Sequence, residues 1–337
     1  MNKLKIGICG FGGLGHAHAA NLAKMEDIEV VAVCDKRPEQ LAAKEVAVNV
    51  DTGGKAFDIR ACRTYTSFTR MLKREKLDVL VTALPTDLHA RFAIMAMNKG
   101  IHVFSEKPMA LNAKQCDAMI AARDKNKVHL LIGQCLRFWP EYRILKKAVD
   151  EQTYGKLVSL TMTRIGALSN WSPDYWFGDH KRSGGAILDL HLHDVDWAIH
   201  ALGKPRAIAA GGTVGRTGGI DDVTALWEYD DCLVTLRGSW KYQGFAMTFQ
   251  AFFENAALDY GIHPNPALRV RKRGVKEDEI LPVEGGSAYA NELRYLFECV
   301  RGEHPNSVCS AETTRESVRL IELERKAIRT HRWITVA

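Results

Sequence analysis

The sequence predicts an α/β chain of two domains: a doubly wound parallel sheet, then an α/β domain whose sheet is mostly antiparallel. Three observations carry this. The chain has 337 residues, beyond the size at which one hydrophobic core keeps growing. Up to residue 133, short apolar runs alternate with helical patterns, as parallel βαβ units require. After residue 155, strand-like segments follow one another through short links, which favours antiparallel pairing. The expected division is therefore 1–133, a dinucleotide-binding domain, and 134–337, a substrate-binding and oligomerisation domain. Hydrophobic residues at 46% and charged residues at 26% supply an ordinary globular core.

Leu4–Cys9 reads as the first strand. It runs into Gly10-Phe11-Gly12-Gly13-Leu14-Gly15, a G-x-G-x-x-G that opens a helical pattern through Leu22 and Met25. A second strand, Glu29–Cys34, closes on Asp35. In this context the motif reads as a dinucleotide site. Gly10 permits a tight turn, Gly12 lets a pyrophosphate approach the backbone, and Gly15 lets helix pack on strand. The helix N-terminus then offers N–H groups to phosphate. Asp35, 20 residues beyond Gly15, is placed to accept the ribose hydroxyls and to repel a 2′-phosphate, which favours NAD. Lys36 and Arg37 follow at once and offset that repulsion, so NADP stays open.

A helix from Pro38 to about Val46, a polar loop at Gly53-Gly54, an extended Thr64-Tyr65 and a helix Ser67–Glu75 come next. Asp78–Ala83 reads as a buried parallel strand. Its exit, Leu84 to His89, lies where open α/β sheets bind ligands, so Pro85 and Thr86 are candidate cofactor contacts. His89 opens a helix, as a capping or structural group or as a cofactor contact. A further strand, His102–Ser105, delivers Glu106-Lys107-Pro108. Pro108 drives Lys107 out of the helical region, turning the chain at the same edge as the glycine loop. A lysine there can donate to a reacting oxygen and stabilise its charge. Glu106 either orients Lys107 or lines the nicotinamide site. A helix, Asn112–Lys125, and a strand, His129–Gly133, complete this half.

The second half begins with a connecting helix, Glu141–Asp150, ended by Gly155. Residues 157–165 alternate as a strand, expected at one side of the sheet. The other strands are Ala207–Val214, Val223–Tyr229, Leu233–Trp240 and Met247–Glu254, with short pieces near Leu258–Gly261 and Leu268–Lys272. Residues 166–183 form a long aromatic-rich loop with Trp171 and Trp176, the wall or lid of a pocket. Gly184-Gly185 open a helix expected to run to Ala201, stopped by Gly203-Lys204-Pro205. Asp189, His193 and Asp196 recur along it at i, i+4 and i+7, on one face. An aspartate beside a histidine holds an imidazole ready for proton transfer. Asp196 either orients His193 or caps a buried polar patch. Helices Ser287–Arg301 and Ala311–Thr330 end the chain.

Other classes find little support. The formal charge of +6 is dispersed, and the one dense basic run, Arg269–Arg273, reads as a solvated face, so no nucleic acid is expected. No apolar run reaches membrane-span length, and the N-terminus enters a strand directly, so no membrane partner or secretion is expected. Eight scattered cysteines read as reduced thiols in a cytoplasmic protein. His191 and His193 have poor spacing for one metal on a helix, and no metal is expected.

Taken together, these motifs resemble the Gfo/Idh/MocA family, named for glucose–fructose oxidoreductase, inositol dehydrogenase and a rhizopine-catabolism protein. The resemblance rests on Gly10–Gly15, Thr82-Ala-Leu-Pro85 with His89, Glu106-Lys107-Pro108, and Gly184-Gly185 with Asp189 and His193. Glu-Lys-Pro is its most specific part. It implies a Rossmann domain binding NAD or NADP, and a second domain whose large open sheet joins copies into homodimers or homotetramers. It also implies hydride transfer on sugars, inositols or related polyols. Lys107 matches the family's catalytic lysine, and Asp189 and His193 its Asp and His. In that mechanism His193 takes the hydroxyl proton, Lys107 stabilises the oxygen, and Asp189 fixes substrate or imidazole. Arg164, Trp171, Trp176, His180 and Arg182 are of the types that hold sugars, with Lys107, Asp189 and His193. Two departures from the family are His191 and Ala186, where smaller residues are usual. His191 lies about 200° around the helix from Asp189, so packing away from the pair is expected. Two other readings stay open: transient oxidation during glycosidic cleavage, and a non-catalytic dinucleotide sensor, which would be expected to have lost Lys107 or His193.

Overall fold

The computed structural model describes residues 2–43, 57–169, 172–263 and 266–337. The end of the helix expected at Pro38–Val46, the Gly53-Gly54 loop and Trp171 lie outside the described residues. The chain divides into two compact units, residues 1–134 with 287–315 and residues 135–286 with 316–337.

The first unit begins with β1 (Leu4–Cys9), α1 (Gly13–Leu22), β2 (Ile28–Cys34), α2 (Pro38–Ala42), β3 (Arg63–Tyr65) and α3 (Phe68–Arg74). It continues through β4 (Val79–Thr82), α4 (Thr86–Met97), β5 (His102–Glu106), α5 (Ala113–Asn126) and β6 (Leu130–Gly133). The six strands are all parallel, in the order β3-β2-β1-β4-β5-β6. Ile6, Ile8, Val79, Leu80, Val103, Phe104 and Leu131 are fully buried. Helices cover both faces of such a sheet, which is why its strands read as unbroken apolar runs. The strand order reverses between β1 and β4, so the ligand crevice of this fold opens at their carboxyl ends. Helix starts follow local chemistry. Asn112 Oδ1 accepts the Gln115 N–H at 2.9 Å while Gln115 Oε1 accepts the Leu111 N–H at 3.1 Å, a capping exchange at the head of α5.

The second unit contains α6 (Pro140–Asp150), β7 (Leu157–Ala167), a 3₁₀ segment (Pro173–Gly178), α7 (His180–Ser183), α8 (Ala186–Asp189) and α9 (Leu192–Leu202). Then come β8 (Ala207–Val214), β9 (Ile220–Glu228), β10 (Leu233–Ser239), β11 (Lys241–Phe253), β12 (Ala256–Tyr260), β13 (Arg269–Lys272) and β14 (Glu279–Ile280). After α10 (Ala288–Val300) and α11 (Ala311–Thr330), β15 (Ile334–Thr335) closes the edge. The sheet order is β14-β13-β12-β11-β7-β10-β9-β8-β15, antiparallel except for β7 beside β10.

Three expectations are corrected here. The 157–165 strand is central, not lateral. After α7–α9 the chain runs out through β8 and back through β9 to lay β10 parallel beside it, and β11 pairs its other side. The helix expected over 185–201 is broken at Leu190-His191, where the His191 N–H bonds back to the Ala186 carbonyl, one residue beyond the α-helical partner. Its cause is His191 itself, whose buried ring goes to Glu324 at 3.0 Å and lies against Gly238, where a Cβ would crowd it. Residues 287–315, expected in the second domain, cluster with the first unit. The buried face of α10, Leu293, Leu296 and Phe297, packs on α1, β5 and β6.

One face of the nine-stranded sheet is dry. Leu160, Met162, Ala225, Trp227, Leu236 and Phe249 are buried there, and Tyr142 of α6 meets Trp197 of α9 and Phe249 edge-on. On the other face the register aligns Phe252, Ser159 and Leu233 in one row and Thr248, Thr163, Arg237 and Thr224 in another.

Beneath α9 two carboxylates are neutralised by arginines. Arg137 grips Asp196 with two bonds of 2.8 and 2.7 Å, and Ser317 Oγ donates to the same carboxylate at 2.7 Å. Arg164 grips Asp194 at 3.2 and 3.0 Å. Removing one partner of such a pair strands a buried charge. Arg137→Met is expected to lower the unfolding free energy by about 3–5 kcal/mol in urea titration, whereas Arg60→Met, at an exposed pair with Asp58, is expected to leave the curve unchanged.

Candidate active site

The glycine loop follows directly from the crowding around it. Gly10 has φ +89°, and a Cβ there would collide with the Ala83 carbonyl at the end of β4. A Cβ on Gly15 would strike the Gly10 carbonyl oxygen, so helix and strand approach at backbone distance. Gly12 is the opposite case: a Cβ there would meet nothing within 4 Å. The loop is therefore closed below and open above, as an approaching phosphate needs.

Asp35 braces this loop from β2. Its Oδ2 accepts the Phe11 N–H at 2.9 Å, and its Oδ1 accepts the Arg37 N–H at 2.9 Å and Arg37 Nε at 3.4 Å. Lys36 beside it is exposed. At the head of α4, Pro85 occupies the cap position, and the buried Thr86 Oγ1 has no partner among the described residues. That orphan hydroxyl and the open surface over Gly12 both fit a dinucleotide.

His89 is buried, with Nε2 2.7 Å from the Leu84 carbonyl and Nδ1 2.7 Å from the Pro108 carbonyl. It ties the 84–86 loop to the turn that carries Lys107. Burial pushes its pKa down, against the two carbonyls, which favour the charged ring. Glu106 ends β5 with one oxygen 2.6 Å from His18 Nε2 and the other accepting the Lys107 N–H at 3.2 Å. Lys107 is half-buried and joined to Pro108 by a cis peptide bond.

The second unit holds the other predicted residues. Gly184 and Gly185 both have positive φ, +85° and +76°, and Arg325 Nη2 donates to the Gly184 carbonyl at 2.8 Å. Asp189 ends α8 and His193 lies in the first turn of α9, on either side of the Leu190-His191 break. In the run from His191 to Ile199 every described side chain except His193 is buried. His193 Nδ1 lies 3.9 Å from Cys135 Sγ.

Asp196 turns to Arg137, which gives it the buried-patch role rather than that of orienting His193. His191 packs inward as expected. Arg164, expected among the substrate contacts, is 4% exposed and spends its guanidinium on Asp194, with Tyr142 Oη 3.5 Å away. This gives it a structural role. Trp176 is half-buried and stacked on Phe177 at 3.9 Å. His180 is tied through Nδ1 to the Thr217 carbonyl at 3.0 Å.

Sequence reasoning missed Cys135 as the neighbour of His193. It also missed His18 and Glu292, which with Glu106 form one close group of three potential ligands among the described residues. His18 stands one helical turn after Gly15, a legible signal. Cys135 and Glu292 left none. The eight cysteines are free thiols, and no helix among the described residues is long and apolar enough to cross a membrane.

This fold and site define a nicotinamide-type oxidoreductase architecture, and comparison with known proteins agrees. Residues 4–134 match the family model described as "Oxidoreductase family, NAD-binding Rossmann fold", and residues 142–259 match the GFO/IDH/MocA C-terminal domain. The chain belongs to the Gfo/Idh/MocA family, and its first unit carries that family's NAD-binding Rossmann domain. It is similar to a myo-inositol 2-dehydrogenase of Thermotoga maritima, 28% identical over 234 residues, covering 67% of this chain and 65% of that one. The matched stretch thus spans just under two thirds of that relative. A UDP-N-acetylglucosamine 3-dehydrogenase of Acidithiobacillus ferrooxidans is 27% identical over 317 residues, 90% of this chain and 91% of that protein. In fold the chain resembles the WlbA dehydrogenase of Bordetella pertussis, solved with NADH and UDP-GlcNAcA, with TM-score 0.79, 22% identity and full coverage of this chain.

The glycine geometry makes two opposite expectations. Gly12→Val, with φ −82° and open space above, should fold and melt like the parent while losing dinucleotide affinity about tenfold or more. Gly15→Val should instead lower the melting temperature. NADH fluorescence titration and thermal melts separate the two.

Proposed function

We propose that this chain is an NAD(P)-dependent dehydrogenase moving a hydride between a nicotinamide and a CH–OH carbon of a sugar, inositol or related polyol. The observation that carries the reading is the Lys107 turn, which leaves the carboxyl end of β5 in the same unit as a glycine loop built for phosphate. The names of the similar dehydrogenases, acting on an inositol and a nucleotide sugar, support the substrate class.

Gly10–Gly15, Asp35, Pro85 and Thr86 hold the cofactor, and His89 and Glu106 position the turns around it. When bound, the nicotinamide supplies the hydride acceptor. NAD is preferred, because Asp35 disfavours a 2′-phosphate and Arg37 is already paired with that carboxylate. Lys107 donates from Nζ to the substrate oxygen and stabilises its developing charge. His193 takes the hydroxyl proton at Nε2, since Nδ1 faces the Cys135 thiol. Asp189 holds a substrate hydroxyl or the imidazole. Trp176 offers a ring face to the C–H face of a sugar.

Reduced-nicotinamide absorbance across inositols, aldoses, sugar acids and nucleotide sugars tests this. Lys107→Ala is expected to lower turnover about 1,000-fold or more with NAD affinity unchanged. Near-parental turnover in that variant overturns the assignment.

The open sheet face supports a second proposal, that copies of this chain pair through it as homodimers or homotetramers. Phe252 and Leu233 are each 44% exposed there, in register on either side of Ser159. Apolar side chains in such a row are characteristic of contact surfaces. Sedimentation velocity should show dimers or tetramers, and Phe252→Glu should give monomers with an unchanged melting curve.

A further inference from the structure

Beside Lys107 lies a buried polar cluster of which the proposed chemistry uses only Glu106. His18 of α1, Glu106 of β5 and Glu292 of α10 have relative exposures of 0%, 4% and 0%. One ligand atom from each lies within 4.8 Å of the others. His18 Nε2 and Glu106 Oε1 are 2.6 Å apart. Both Glu292 oxygens and His18 Nδ1 have no partner among the described residues.

Among the described residues, the titratable groups shown to meet at this point are His18, Glu106 and Glu292. His18 comes from α1 and Glu106 from β5, and Tyr289, on Glu292's own helix, has its ring centroid 6.5 Å from that of His18. Two carboxylates this close and this buried strongly disfavour being ionised together. Of the two carboxyls, Glu292 is the one without a hydrogen-bond partner among the described residues, so it is the one that takes a proton. Burial first, and the Glu106 charge second, raise the Glu292 carboxyl well above its ordinary range. A metal fits the geometry poorly. The His18–Glu106 distance of 2.6 Å is a hydrogen bond, shorter than two ligands at about 2 Å from one tetrahedral ion allow.

We propose that His18, Glu106 and Glu292 form a buried cluster in which Glu292 is a neutral acid beside Glu106, the side chain that holds the Lys107 backbone N–H. Glu292 is thereby a positioning residue for Lys107. The protonation state stands on its own; the positioning role rests on the dehydrogenase reading.

Infrared difference spectra of the full chain against Glu292→Gln test the first part. The expected result at pH 7 is a carboxylic-acid carbonyl band in the parent that the variant lacks; Glu292→Met serves if the glutamine variant does not fold. The sign of the pH dependence is a second check. A group whose pKa rises on folding stabilises fully at acid pH and loses that contribution as pH climbs. The parent's melting temperature should therefore fall more than the variant's between pH 5 and 9. No carbonyl difference, parallel melting profiles, or stoichiometric zinc binding that the variant loses would overturn the proposal. For positioning, Glu106→Gln should lower kcat at least tenfold with KM for NAD within threefold, and Glu292→Gln should move the alkaline limb of kcat upward. An unmoved limb overturns the positioning role. Absence of turnover on every substrate, with the infrared band present, instead discards the dehydrogenase reading.

Discussion

A carboxylate taken out of water has to be answered where it lies, and much of this structure is arranged around that demand. Four buried acids meet four buried bases: Asp194 with Arg164, Asp196 with Arg137, Glu324 with His191, and Glu106 with His18. None of these pairs need add much net stability, because desolvation of both partners offsets most of their attraction. Their effect is on geometry. Bidentate arginine contacts admit one orientation of the carboxylate, so α9 cannot rotate or slide without breaking two of them. His193, alone among its neighbours in reaching a less buried position, inherits that fixed orientation.

The same demand decides what the sequence discloses. The glycine loop is legible because its constraint is backbone against backbone. Only glycine escapes the clash at Gly10 and Gly15, so the spacing itself records the structure. Lys107 is legible because proline forces the turn locally. Arg164 is different. As a cation beside an aromatic loop it looks like a sugar contact, but its partner is Asp194, 30 residues away. A charged residue carries no mark of whether its countercharge is protein or ligand. The helix break at Leu190-His191 was hidden for a related reason. Its cause is a ring drawn inward to Glu324, on a helix over 100 residues downstream.

His89 shows how one side chain can serve two loops without touching chemistry. The exit of β4 and the Lys107 turn come from different strands. An imidazole has two nitrogens pointing about opposite ways, which suits it to bridge two carbonyls. With each at 2.7 Å, the cofactor loop and the lysine turn become one body. The sequence left open a capping or structural role and a cofactor contact, and the bridge is of the structural kind.

The return of residues 287–315 to the first unit bears on where that unit ends. β6 is the last strand of the parallel sheet, and an edge strand offers unpaired carbonyls to any passing chain. Asn306 Nδ2 reaches the Leu130 carbonyl at 3.5 Å and Cys309 Sγ the Ile132 carbonyl at 3.2 Å, so the returning segment covers that edge. α10 covers α1 and brings Glu292 beside His18 and Glu106. Neither the edge nor the His18–Glu106 pair is closed by residues 1–134 alone. A chain cut after β6 would keep every glycine of the dinucleotide motif and the lysine itself, yet open the buried pair under Lys107 to water. The dinucleotide half of this protein is therefore continuous in space but not in sequence. The chemistry-bearing turn is supported from a part of the chain that no local pattern around it announces.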